Sequence, residues 1–443
     1  MKKRLLVLLF SLASLTLASC GGNNVATSGA TAVSAEMTIG GTYTVSPTVS
    51  GLVGTVVLQD NGGDNLSVSA NGVATFSTAL ATGATYAVTV LTQPSGSTCS
   101  VSNGTGTISS ANVTNVTVAC SLNIITAAYW DNWSSSISIP NATLQVLDIV
   151  YGAFGSWTST TADSVMLSNF QQACTANRNV KLFLAVGGSN GGAPTTNQVP
   201  QYVTNVMGQV SSYNASLSSL GCKIYGVGLD LENGTSSDTI SDFASGFKSQ
   251  GLQVSVAPQA YNSAGSGNVN SASPTNFSLT SGGSYYGGTS PYNQYGPAVA
   301  SGNVNYIMLQ TYNTSGWTID NYDESVTSFI SSVATAMANL VQSQSVCTAG
   351  RAGYNVCIPS TVTILIGIPA NCASASFSIF TTTCTASGQT TSLSALNTAI
   401  LSFPSKIGGV ATWELAGTGD YVSSSSSTVG AFSATIFGAP ATE

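Results

Sequence analysis

From Leu122 onward the chain repeats one alternation of apolar and mixed segments. Eight strongly apolar, β-branched-rich runs recur: Ile124–Trp130, Val146–Phe154, Lys181–Gly187, Ile224–Glu232, Leu252–Gln259, Val304–Tyr312, Val362–Pro369 and Gly409–Leu415. Unbroken apolar runs of this length read as strands covered on both faces. Between them, Ala162–Asn177, Val199–Leu220, Asp238–Ser249, Tyr322–Val341 and Leu393–Leu401 space their apolar residues as helices do. The order predicts an α/β fold, a (β/α)8 TIM barrel over residues 122–443. Functional groups are then expected at the C-terminal ends of the strands.

Residues 37–121 have a different rhythm. Short alternating segments at Thr42–Val49, Gly54–Leu58, Leu66–Ala70, Val73–Phe76, Tyr86–Leu91 and Val113–Cys120 are separated by polar turns, with Asn61-Gly62 and Asn71-Gly72 as hairpin candidates. This predicts a small all-β, Ig-like sandwich. The stretch resembles the Ig-like repeats of bacterial surface lipoproteins and holds no catalytic cluster, so a spacer is expected. Ahead of it, residues 21–36 are small and polar, as a tether is. Residues 1–20 set Lys2, Lys3 and Arg4 before the apolar run Leu5–Leu17 and end Leu17-Ala18-Ser19-Cys20. That is a signal peptide closing on what looks like a lipobox, with Cys20 as the lipidated residue. The expectation is an exported, bacterial, membrane-anchored lipoprotein at the cell surface or secreted, and a monomer.

Composition narrows the chemistry. The 443 residues include no histidine, and 6% are charged. A Ser-His-Asp triad, a Cys-His pair and any His-ligated zinc site are thereby excluded. Nine basic residues, less the three in the leader, leave six against 16 acidic ones. No basic patch of the size nucleic acid requires can form. Nine cysteines less Cys20 leave an even number for an oxidising compartment. Sequence proximity pairs them Cys99–Cys120, Cys174–Cys222, Cys347–Cys357 and Cys372–Cys384. With no CxxC pair and no histidine, staples are favoured over a metal site.

The fourth run carries the chemistry. Side chains alternate along a strand, so Gly228, Asp230 and Glu232 share a face while Leu229 and Leu231 pack on the other. Two acids at the mouth of a barrel perturb each other's protonation, and a protonated glutamic acid is a general acid for glycosidic cleavage. Here the chain resembles glycoside hydrolase family 18, the chitinases and endo-β-N-acetylglucosaminidases, over residues 123–435. Tyr129-Trp130 looks like the family's first strand, Lys181 to Gly188 like its S-x-G-G strand, and Tyr225 to Glu232 like D-G-x-D-x-D-x-E. Val256-Ala257-Pro258-Gln259 is similar to the fifth-strand A-P-E/Q, and Gln310-Thr311-Tyr312-Asn313 to the Q-x-Y-N of the hevamine-like branch. Gly409 to Trp413 is similar to the eighth-strand G-G-x-x-x-W.

The resemblance implies catalysis without a cofactor or metal, on chitin or another GlcNAc-containing glycan. Glu232 would be the acid, and the substrate's acetamido oxygen would be the nucleophile. Asp230 would stabilise the charge that develops, and Tyr312 would orient the acetamido group. Gln259, Gln310, Asn313 and Tyr129 would bind substrate, with Trp413 as the floor beneath the reacting sugar. Tyr285, Tyr286, Tyr292 and Tyr295 are candidates for stacking on further sugars. An endo-β-N-acetylglucosaminidase of N-glycan cores and a non-catalytic GlcNAc-glycan-binding lipoprotein are the alternative readings.

Three positions depart from the family pattern: Tyr225 and Gly228 replace aspartates, and Ala185 replaces the serine of S-x-G-G. With no carboxyl at position 228, Asp230 is expected to titrate near the reference value of about 3.9. The basic limb of a pH profile is then expected to follow Glu232 alone.

Overall fold

A computed structural model describes residues 41–415, apart from 53, 95–96, 134–138, 266, 282–292, 315, 371–394 and 401. Eight parallel strands form a closed ring. They are β1 (Ile125–Asp131), β2 (Ile149–Gly155), β3 (Lys181–Gly187), β4 (Ile224–Asp230), β5 (Gln253–Val256), β6 (Tyr306–Gln310), β7 (Thr363–Pro369) and β8 (Ile407–Trp413). Each pairs with the next, β8 pairs with β1, and β5 meets β6 through Ser255 and Val256. The predicted barrel is the observed one.

Alternation along the strands sorts two cores. Ala127, Tyr129, Tyr151, Phe183, Ala185, Tyr306, Met308 and Leu365 fill the interior of the ring. Ala128, Trp130, Leu184, Val227, Leu229 and Leu309 face outward into the layer shared with the helices. Four long helices cover that layer: α1 (Ser164–Ala176), α2 (Val199–Leu217), α3 (Ser237–Ser249) and α4 (Thr327–Leu340). Their starts are written in the sequence. Asp163 accepts the Met166 N–H at the head of α1, and Ser236 accepts the Thr239 N–H at the head of α3. Each such cap satisfies a backbone donor that has no partner within its helix.

Four runs end earlier than their pattern predicts, the sixth at Gln310 and the eighth at Trp413 among them. The fifth strand stops at Val256, and after Pro258, which has no N–H for a ladder, a short strand Gln259–Asn262 pairs antiparallel with Phe277–Thr280. The fourth strand ends at Asp230, so Glu232 stands just beyond it.

The N-terminal unit has two four-stranded sheets. One orders Gly72–Val73, Thr48–Ser50, Thr117–Leu122 and Ser97–Ser102; the other orders Asp64–Val68, Val56–Asp60, Thr85–Thr92 and Thr105–Thr107. Val45, Val49, Leu58, Phe76, Val88 and Val118 make their common core. Asn61 and Gly62 take positive φ in the predicted hairpin. The second hairpin is corrected: Gly72–Val73 pairs with Thr48–Ser50 rather than with the preceding strand, while Asn71 Oδ1 accepts the Leu52 N–H. Three expected disulfides are present, Cys99–Cys120, Cys174–Cys222 and Cys347–Cys357. Cys372–Cys384, Cys20 and residues 21–36 lie outside the described residues.

Candidate active site

Asp230 ends β4 with its side chain 3% exposed inside the mouth of the ring. Two neighbours close the backbone around it. Gly188 N–H donates to the Asp230 carbonyl at 2.6 Å, and a Cβ on Gly187 would stand 2.0 Å from that oxygen, so this approach requires glycine. The Tyr295 hydroxyl accepts the Leu231 N–H at 2.7 Å and is fully buried. Tyr295 therefore braces the end of β4 and has no face for a sugar. Tyr285, Tyr286 and Tyr292 fall outside the described residues.

The Asp230 and Glu232 side chains are hydrogen-bonded to each other, and Gln310 Nε2 donates to Asp230 Oδ1 at 3.0 Å and to the Ala257 carbonyl at 2.9 Å. Burial raises both acids above the ordinary carboxylate range, and the Glu232 charge raises Asp230 further. Two carboxyls in contact cannot both ionise cheaply, so the pair holds one proton between them. This overturns the expectation that Asp230 titrates near its reference value and that Glu232 titrates alone.

The physical reason is burial and the adjoining Glu232; at Gly228, aromatic packing takes the place of a side chain. A Cβ there would stand 3.2 Å from the Tyr151 ring and 3.5 Å from Ala185, so Tyr151 occupies the space beside the missing side chain. The Tyr151 hydroxyl bonds Ser255 Oγ at 2.9 Å, and its ring stacks on Tyr129 at 4.7 Å. Asp230 thus lies over aromatic packing rather than a second carboxyl. Tyr225 is a separate matter. It is 38% exposed at the start of β4, the end away from Asp230, beside Lys223.

A cavity of about 720 Å³ opens over the acids. Asp230, Glu232, Gln310, Tyr312, Asn313 and Trp413 line it together, as expected from the sequence. Two candidates do not. Tyr129 is fully buried beneath, edge-on to Trp413 at 5.4 Å, and its hydroxyl has no hydrogen-bond partner. Gln259 is buried beside Gln310 in the register of the sheet and does not reach the cavity. Tyr312 is buried, and burial followed by the charges of Asp230, Glu232 and Glu414 raises its phenol far above its ordinary value, so it is a hydrogen-bond donor at every working pH.

Sequence reasoning missed one wall and the loop beside it. Trp133, 51% exposed, stacks on Phe154 at 6.2 Å and lies 6.4 Å from Trp413, making an aromatic wall with the polar Asn132 beside it. Gly187 to Gly191 line the cavity next to Phe154, whose ring lies 2.5 Å from where a Cβ on Gly188 would stand, and Asn233 Nδ2 donates to the Ser189 carbonyl. Trp133 and Phe154 stand at the C-terminal ends of their strands, a signal available in the sequence.

Three further carboxyls, Asp131, Glu324 and Glu414, are buried around the site. Glu414 faces Asp131 at the ends of β8 and β1, and burial followed by that neighbour lifts it to about 8. Glu324 Oε2 accepts the Thr314 N–H at 2.7 Å and Oγ1 at 2.9 Å, and burial lifts it to about 7. No cluster of three or more His, Cys, Asp or Glu suited to a metal ion occurs among the described residues.

Solved structures similar to this chain include family 18 chitinases. The GH18 chitinase ChiB of Flavobacterium johnsoniae is 13% identical, with 72% of this chain and 94% of that one covered at a TM-score of 0.40. A GH18 chitinase mutant from Cycas revoluta, in complex with (GlcNAc)4, is 12% identical, with 71% and 99% covered at 0.40. The C-terminal domain of Legionella pneumophila ChiA is 17% identical, with 66% and 93% covered at 0.39. No protein-family model matches the chain, and no curated protein is significantly similar to it. The barrel itself is established by its strand pairings.

Proposed function

We propose that the chain is a glycoside hydrolase of the family 18 type, cutting β-1,4-linked N-acetylglucosamine polymers with retention of configuration and with the substrate's acetamido group as nucleophile. The observation that carries this reading is the buried Asp230–Glu232 pair, with Asp230 bonded to Gln310, in a cavity that also holds Tyr312 and Trp413. The proton held by the pair moves to Glu232 and from there to the glycosidic oxygen as the C1–O bond breaks. The acetamido oxygen forms a bond to C1, giving an oxazolinium ion, which is the substrate-assisted exception to the two-carboxylate scheme. Asp230, left ionised, accepts the acetamido N–H and offsets the positive charge. The Tyr312 hydroxyl holds the acetamido oxygen in line, a gain from positioning. Water then attacks C1 as the C1–O bond to the acetamido oxygen breaks and the acetamido group reforms, and the water's proton passes to the Glu232 carboxylate, restoring the pair. Trp413 and the Trp133–Phe154 wall receive the apolar faces of the sugars.

The test is hydrolysis of chitooligosaccharides and a fluorogenic chitobioside by protein lacking residues 1–20, beside Glu232→Gln. Turnover that falls by about 10²–10⁴-fold in the variant supports the assignment. Wild-type turnover in Glu232→Gln overturns it, and binding without turnover in the parent makes the chain a glycan-capturing protein. Cleavage confined to N-glycan cores would replace chitin as the substrate. Residues 1–36 complete the proposal: Cys20 anchors the chain to a membrane, the polar tether follows, and the sandwich serves as a spacer. No described helix is long and apolar enough to cross a membrane.

A further inference from the structure

Most charges of the barrel are sorted by face, Asp148 before β2 being an acid at the opposite end, where it accepts the Thr126 N–H. At the C-terminal ends of the strands stand Asp131, Asp230, Glu232 and Glu414, while Asp163 caps α1 and Asp238 opens α3. Asp242 follows within α3, and the connection from β6 to α4 adds Asp320 and Asp323, while Glu324 and Glu414, lifted to about 7 and about 8, carry no charge in mildly acidic solution. Lys248, in the last turn of α3 and bonded to Asn305, is the one cation on these segments. Between Asp131 and Leu415, the residues outside the described set contribute no charge of either sign to the sequence.

The cations occupy the opposite end. Lys181 opens β3, Lys223 precedes β4 and Lys406 precedes β8, while Arg178 follows α1 and Lys248 lies in the last turn of α3. Arg351 donates to the Asn339 carbonyl in the last turn of α4. Their hydrogen bonds go to neutral groups: Arg178 to the Leu220 carbonyl, Lys181 to the Tyr306 hydroxyl and Lys248 to Asn305. Helix dipoles favour acids at helix starts and cations at helix ends, which accounts for Asp238 and Lys248. They do not account for Lys181, Lys223 and Lys406, which begin strands. Nor do they account for a cavity whose charged lining residues are Asp230 and Glu232 alone.

A cleft whose surroundings carry one sign of charge concentrates ligands of the other sign and repels its own, and salt screens the effect over about 10 Å at 0.1 M. On the reading proposed above, we infer that the site selects among GlcNAc polymers by charge, taking partly N-deacetylated, cationic chains in preference to carboxylated, anionic ones. Asp238 and Asp242 are exposed on α3 and touch none of the catalytic groups, so they contribute field without chemistry.

The experiment compares kcat/KM for three soluble substrates in mildly acidic buffer: fully acetylated chitohexaose, partly deacetylated chitin oligomers and carboxymethyl-chitin. At about 20 mM salt the cationic chains are expected to be cut about tenfold or more faster than the anionic ones, with chitohexaose between them. At about 0.5 M salt the spread is expected to collapse to within about twofold, because screening then acts over a few ångströms. Asp238→Lys combined with Asp242→Lys is expected to narrow the spread at low salt and leave chitohexaose turnover unchanged. A spread that is equal at both salt concentrations, or faster cleavage of carboxymethyl-chitin, overturns the selection while chitohexaose turnover keeps the hydrolase reading. No turnover of any of the three overturns the hydrolase reading itself.

Discussion

The Tyr151 ring stands 3.2 Å from where a side chain on Gly228 would begin. An aspartate at 228 must therefore displace an aromatic that is stacked on Tyr129 and tied to Ser255. Overpacking of this kind costs about 1–3 kcal/mol, and a buried carboxyl without a partner adds to it. Gly228→Asp is expected to lower Tm by several degrees, and combining it with Tyr151→Leu is expected to recover part of that loss. Thermal denaturation of both single variants and the double variant gives the coupling energy, which should fall in the range of about 0.5–3 kcal/mol for groups in contact. Strict additivity would show that Tyr151 does not fill that space.

A second prediction concerns activity against pH. Because Asp230 and Glu232 hold one proton between them, the basic limb of kcat/KM belongs to the pair and lies above the ordinary carboxylate range. Asp230→Asn removes one titrating group and should leave a limb described by a single ionisation, with turnover reduced by about 10²-fold or more. A parent profile fitted by one ionisation at an ordinary glutamate value would count against the shared proton.

Stability should depend on pH in the opposite sense to most proteins. Glu324 and Glu414 start from an ordinary value of 4.5, and burial carries them to about 7 and about 8 in the folded chain. Across that interval the folded state binds more protons than the unfolded state, so stability declines as pH rises. It is fully present below the unfolded value and lost as pH passes through 7 and then 8. Tm is expected to fall between pH 5 and pH 9, and Glu414→Gln is expected to flatten the upper part of the decline. A Tm that rises over this interval would contradict the burial of these acids as neutral groups.

The barrel was legible because period-two alternation and continuous apolar runs are local properties. They fixed β3 to the residue and placed Asp230 on the inward face with Gly228. What the sequence could not convey depended on distance across the ring. Asp230 lost its expected ordinary titration because it is buried in the mouth of the ring with Glu232 against it, a contact made beyond the end of the strand. Tyr129 and Gln259 matched family positions, yet both lie below or beside the cavity, where only the three-dimensional packing excludes them. Trp133 was overlooked because it falls past the end of the first apolar run, where periodicity carries no information.

Trp133 supplies the last prediction. It is half exposed at the rim of the cavity, with Phe154 stacked behind it and Trp413 alongside. A large aromatic face left open to solvent beside an apolar floor suits the flat face of a sugar some way from the reacting bond. Its contribution is then to binding substrate and transition state alike, which appears in KM rather than kcat. Trp133→Ala should raise KM for chitohexaose by about tenfold, corresponding to about 1.4 kcal/mol of lost contact, with kcat nearly unchanged. A chitobioside that fills only the sites at Trp413 should be affected far less. Equal losses on the long and short substrates would place Trp133 outside the binding path and leave Phe154 and Trp413 as the whole of the wall.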